Sequence, residues 1–131
     1  MSRCGYSEDL EPLDLGRWRG RVASAIRGAR GQQLLRDALA ALDALPDKRL
    51  IAEELRAANQ VCTLGAVLVA KGIDPEKYDP EDHEGLGKVL NIAPCLVREI
   101  EYLNDEHAPI DPEKRWEFMR KKIESLIVSK P

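Results

Sequence analysis

Apolar residues recur at helical spacing over most of the chain. Leu15, Trp18, Val22 and Ile26 fall on one helical face, and Leu34, Leu35, Ala38, Leu39, Leu42 and Leu45 on another. Gly28 and Gly31 interrupt the pattern between them. Pro46 stops the second helix because it lacks an N–H and clashes with the preceding turn. From Thr63 to Lys71 the chain is apolar nearly all round, the pattern of a buried helix. Gly65 within it would admit a close neighbour, and Gly72 is a natural C-cap. The last stripe is Trp116, Met119, Ile123, Leu126 and Ile127, which predicts a helix from Pro112 to about Val128.

Helix starts are marked by Asp74-Pro75-Glu76, Asp79-Pro80-Glu81-Asp82 and Asp111-Pro112-Glu113. In each, Asp caps backbone N–H groups, proline at the first helical position gives up an N–H that has no partner, and the following acid favours the positive helix end. The first start predicts a single turn. The second predicts a helix from Pro80 to about Asn91, which tolerates the left-handed conformation. Another helix is expected from Pro94 to about Asn104. Residues 48–62 fit two patterns. Leu50, Ile51 and Leu55 suit a helix, or a short strand paired with Gln60–Cys62 across a polar turn near Asn59. The propensity of Ala-Glu-Glu-Leu-Arg-Ala-Ala inclines the balance to helix. The expected fold is therefore mostly α, a compact bundle of about five to six helices, with a possible short β-hairpin around residues 50–62. Residues 1–14 read as an irregular lead-in and 15–131 as a single helical domain.

Composition narrows the class. The 131 residues suit one domain, and 44% hydrophobic with 33% charged residues is the balance of a folded chain. Aromatics are only 5%, so Leu, Ile, Val and Ala must build the core. A net charge of -3 predicts no general affinity for nucleic acid or anionic membrane. The apolar stretch Val61–Ala70 is far short of the ~20 residues a membrane span needs. No signal-peptide pattern opens the sequence. Cys4, Cys62 and Cys95 are scattered and odd in number, which is no disulfide framework and fits a reducing cytoplasm.

Little in the chain resembles a catalytic motif, and neither an enzyme nor a cofactor is expected. His83, His107 and the three cysteines lack metal-ligand spacing. Cys62 stands at the mouth of the apolar helix, where a thiol is either activated by the helix end or simply buried; burial is the expectation. The six arginines Arg17, Arg19, Arg21, Arg27, Arg30 and Arg36 are a stronger signal, because no acid and no lysine lies among them. Arginine suits bidentate contact with carboxylate or phosphate. Arg27–Gln32 could form a turn that holds an anion at a helix start. These six residues are the candidate partner-binding site. An acidic protein partner is the first expectation and nucleic acid the second. Residues 72–108 carry ten acids against three bases, so the two regions could also neutralise each other, within the fold or between copies of a homo-oligomer.

Two further patterns bear on function. Leu86, Leu90, Ile92, Val97 and Ile100, with Gly87 at the crossing and Asn91 at the turn, fit a helix-turn-helix from His83 to Tyr102. Its second helix offers Cys95, Arg98, Glu99 and Tyr102 in the most acidic part of the chain, which argues for a helical hairpin in a bundle rather than a DNA reader. The last helix carries Lys114, Arg115, Arg120, Lys121 and Lys122 opposite its stripe. Phe118 lies on that polar side, as an exposed partner contact or packed under the N-terminal segment.

Several segments together resemble a family of small proteins encoded by tailed bacteriophages and prophages of proteobacteria. They are Cys4-Gly5-Tyr6-Ser7, Trp18-Arg19-Gly20, Arg30-Gly31-Gln32, Ala41–Pro46 with Lys48–Ala52, Cys62–Ala66, Asn104-Asp105-Glu106 and Pro112–Trp116. His107-Ala108-Pro109 stands where that family has glycines. The resemblance implies no activity and no site residues. It implies a setting, the bacterial host cytoplasm or a phage particle. The function expected of the chain is that of a non-catalytic accessory protein acting through its arginines.

Overall fold

The computed structural model describes residues 3–6 and 12–128. Six α-helices and one two-stranded sheet follow in the order α1 (Pro12–Arg27), α2 (Ala29–Ala44), β1 (Arg56–Ala57), β2 (Gln60–Val61), α3 (Thr63–Ala70), α4 (His83–Leu90), α5 (Pro94–Tyr102) and α6 (Pro112–Leu126). A 3-10 turn covers Pro75–Lys77, and a π-helical turn, Leu103–His107, continues α5. The fold is thus a mostly helical bundle with a short hairpin.

α3 sits at the centre. Thr63 to Leu68 are buried on every side, and the helix packs against α2 and α5. Leu34, Leu35, Ala38 and Leu42 of α2 close one side of the core; Leu96, Val97 and Ile100 of α5 close another. α6 lies along α2 through Met119 and Ile123, and Trp116 Nε1 donates to the Leu42 carbonyl at 3.0 Å. α4 and α5 form the expected helical hairpin. Asn91 makes its turn at φ 59°, and Gly87 meets the returning chain so closely that a Cβ would lie 2.7 Å from the Ile92 carbonyl oxygen.

Residues 48–62 form the hairpin, and the helical inclination is overturned. β1 pairs antiparallel with β2, Arg56 opposite Val61 and Ala57 opposite Gln60. Ile51 N–H donates to the Val61 carbonyl, and Cys62 N–H to that of Leu55. Buried Leu50 and Leu55 anchor this loop in the core, so tertiary packing outweighs helix propensity. Three boundaries also move. α1 begins at Pro12 instead of Leu15. α4 begins at His83 instead of Pro80, because Asp79 closes only a turn, accepting from Glu81 N–H, while Asp82 makes the true cap by accepting from Gly85 N–H. The last helix ends at Leu126. The caps at Asp74 and Asp111 stand where the triplets put them, accepting from Glu76 and Lys114 N–H. Among the described residues, no helix is long and apolar enough to cross a membrane.

Candidate functional site

α1 and α2 are one helical pattern broken by a single extended residue, Gly28, whose N–H still donates to the Ser24 carbonyl. The elbow requires Gly31 one turn later, because a Cβ there would lie 1.8 Å from the Ala25 carbonyl oxygen. Gln32 fixes the bend: its Nε2 donates to the carbonyls of Ile26 (2.7 Å) and Leu126 (3.1 Å), and its Oε1 accepts from Val128 N–H. The start of α5 approaches this elbow. Between α1, α2 and α5 lies an open groove of about 810 Å³, with an apolar floor and with Arg21 and Arg30 on its rim. A second groove of about 270 Å³ runs beside α1, lined by Tyr6, Asp14, Arg17, Trp18, Arg21 and Arg98, so Arg21 stands between the two.

The six predicted arginines do not form one patch. Arg17, Arg21 and Arg30 converge on the grooves. Arg19 turns away to Glu99, with its NH1 3.5 Å from the carboxylate. Arg27 lines neither groove, and Arg36 lies further along α2 beside Gln33. The proposed anion turn becomes the elbow. Among the described residues, Arg17, Arg21 and Arg27 form no ion pair, and Arg30 has only a long 3.5 Å bond to the Asn91 amide. Arg98 joins the group from the acidic part of the sequence, brought there because α5 packs on α1. No linear signal marks it.

Arg98 is held rather than presented. Its Nε donates to the Cys4 carbonyl at 2.7 Å, and its guanidinium lies 4.8 Å from the Trp18 ring and 5.3 Å from the Tyr6 ring. Trp18 Nε1 donates to the Tyr6 hydroxyl, which donates to Glu99 at 3.0 Å. Burial, then the Glu99 charge, pushes the Tyr6 hydroxyl above its ordinary range, so it remains a donor. Both rings are engaged within the fold. α5 itself is covered by α1 and by segment Arg3–Tyr6, and it offers no open face to a DNA groove.

Under that segment lies a buried ionic cluster that the sequence pattern does not reveal. Arg3 is 4% exposed and makes a two-pronged contact with Asp105, at 2.5 and 2.8 Å. Glu101, fully buried, lies 3.8 Å from Arg3 Nε and 2.8 Å from His83 Nε2, which also bonds the Arg3 carbonyl. Burial pushes the Glu101 carboxyl up to about 8, with Asp105 and Glu53 adding to the effect and Arg3 opposing it. Burial likewise holds the His83 imidazole below its ordinary value. The π turn presents Asp105 and, next to it, Asn104. Asn104 Oδ1 accepts from the backbone and hydroxyl of Thr63, while its Nδ2 donates to the Ile51 carbonyl. Arg115 closes the set from α6, donating to the carbonyls of Asn104 and Leu50. Arg3 NH1 and Glu101 Oε2 are buried without a hydrogen-bond partner among the described residues, while the other polar groups here answer one another, which is the arrangement of a structural clasp.

The remaining candidates are also placed. Cys62 is fully buried and its sulfur caps α3, accepting from Gly65 N–H at 3.4 Å. Cys4 is buried, and its thiol donates to Glu106. Cys95 reaches the larger groove, but burial pushes its thiol up and away from the reactive thiolate. His107 is exposed and lies between the rings of Tyr102 and Phe118, so of the two alternatives for Phe118 the exposed contact is excluded: it is half-buried, against His107 of the π turn. Among the described residues no group of three His, Cys, Asp or Glu side chains could hold a metal ion. No family model, curated protein or solved structure matches this chain.

Proposed function

We propose that this chain is a non-catalytic accessory protein that binds an acidic protein partner through the arginine-rimmed grooves of α1 and α2. The observation that carries the reading is the convergence of Arg17, Arg21 and Arg30, from two helices, on open grooves where none forms an ion pair among the described residues. Carboxylates match the planar guanidinium fork. The apolar floor of the larger groove favours a protein ligand over a phosphate backbone. The engagement of Trp18 and Tyr6 in internal contacts removes the stacking platforms a single-stranded nucleic acid would use. The cysteines support the non-catalytic part, since two are buried and the third has a raised pKa. The resemblance of several segments to phage and prophage proteins supports a setting in a bacterial host cytoplasm or on a phage particle.

The test is fluorescence anisotropy with labelled acidic peptides and labelled DNA and RNA oligonucleotides, for the wild type and for R17E/R21E/R30E. Acidic peptides should bind and the triple variant should lose them. Tighter binding of oligonucleotides, with affinity falling steeply as salt rises from about 50 to 200 mM, would replace this reading with nucleic-acid recognition.

A further inference from the structure

The groove between α1, α2 and α5 has a floor of small side chains: Gly20 and Ser24 on α1, Gly28 at the elbow, Gly31 on α2, and Ala93 and Cys95 at the start of α5. Gly28 and Gly31 have a reason within the chain, since they make the elbow. Gly20 has none. It lies inside α1, and a Cβ there would meet no atom within 4 Å. Glycine in a helix interior costs about 1 kcal/mol relative to alanine, and no contact among the described residues offsets that cost. Ser24, another weak helix former, is also exposed. Gly20 and Ser24 are four residues apart, so they lie on one face of α1, and small residues at that spacing are where a crossing helix packs.

Arg21 on α1 and Arg30 on α2 border this floor, and Arg17, one helical turn before Arg21, lines the adjoining groove. Carboxylates four residues apart on a partner helix are separated by ~6 Å, so one helical face can present a row of acids to this rim. The volume of about 810 Å³ lies open over a floor low enough for a helix backbone to approach. An extended acidic chain would need the arginines but would have no use for Gly20 or Ser24.

We infer that the groove receives an acidic amphipathic α-helix of another protein, its apolar residues seated on Gly20 and Ser24 and its carboxylates on Arg21 and Arg30. The inference rests on the acidic-partner reading above and adds the shape of the ligand.

The experiment uses the full chain and a labelled, side-chain-stapled Ala/Leu/Glu peptide of about four turns, with Glu at i,i+4 spacing. Its controls are the same composition broken by two prolines, the Lys-for-Glu helix, and an oligo-dT. The proteins are the wild type, Ser24→Leu and Gly20→Leu, which fill the floor without altering charge, and R21E/R30E. Circular dichroism melting should show both leucine variants folded, since each new side chain points into the open groove. The stapled acidic helix should bind, and each variant should weaken it by about tenfold or more. If R21E/R30E loses binding but Ser24→Leu and Gly20→Leu do not, or if the proline-broken peptide binds equally well, the helix-in-groove inference falls while the acidic partner stands. If R21E/R30E changes nothing, or the Lys helix or oligo-dT binds better, both fall. Failure of the stapled helix to bind up to about 1 mM overturns the inference, 1 mM being the weak end of specific association. So does self-association in sedimentation that Ser24→Leu abolishes, because the occupant is then a second copy.

Discussion

A single carboxyl, that of Glu101, makes the stability of this protein depend on pH in a way its overall charge does not suggest. In the folded chain its pKa is about 8, against an ordinary value of 4.5. Folding therefore holds a proton that unfolding releases. The stabilisation is complete below about pH 4.5 and declines as the pH rises through 8, at roughly 1.4 kcal/mol per pH unit inside that window. His83, in contact with it, works in the opposite sense. Its lowered pKa gives a contribution that is complete above 6.5 and is lost as the pH falls. Between pH 6.5 and 8 only the Glu101 slope is expected from this pair. Glu101→Gln, which keeps the shape of the protonated acid, should flatten it. Urea midpoints at pH 6.5, 7.5 and 8.5 should fall for the wild type and stay level for the variant. A parallel fall in both would remove Glu101 as the cause. None of this is legible in the sequence, where Glu101 sits in an acidic stretch that looks solvated. Its burial follows from Arg3, about a hundred positions away, and distant pairing leaves no local pattern.

Elements were more legible where the signal is local. The Asp-Pro-Glu starts, the Asn91 turn and the all-apolar α3 are dictated by chemistry within a few residues. The hairpin is not, because its turn, Ala58-Asn59, lacks glycine although both residues have positive φ, 49° and 67°. Alanine is strained there. Replacing the pair with Asn-Gly, the sequence such turns favour, should raise stability by about 1 kcal/mol in thermal unfolding. The elbow gives a sharper contrast between glycines. Gly31→Ala would drive a methyl into the Ala25 carbonyl and should cost about 2–3 kcal/mol or more. Gly20→Ala meets nothing and should stabilise by about 0.5–1 kcal/mol. Chemical denaturation of the two variants side by side checks both signs at once. The arginine site was half legible by the same logic. A linear count finds six arginines, but helical phase and the bend at Gly28 select Arg17, Arg21 and Arg30, and only packing adds Arg98.

At the scale of the whole molecule, charge is divided: arginines border the α1–α2 grooves, while acids crowd the turns around Asp74–Glu84. The Arg3–Tyr6 segment ties the basic and acidic parts together. It bonds Asp105 and His83 beneath it and supports Trp18 and Arg98 beside the smaller groove. Arg3→Met should therefore act at both places. It leaves Asp105 buried without its cation and should destabilise the fold by about 3 kcal/mol. It should also speed hydrogen exchange along α5 and the π turn while leaving α2 and α6 protected. Uniformly faster exchange would mean that the segment has no local role.

The same contact has a consequence for synthesis. Arg3 emerges from the ribosome about a hundred residues before Asp105, an interval on the order of 5–20 s at ordinary elongation rates. Throughout that time its guanidinium has no pocket to enter. The clasp thus forms only after the π turn has been made, and a nascent chain stalled before that turn would carry an unanchored segment and an incomplete fold.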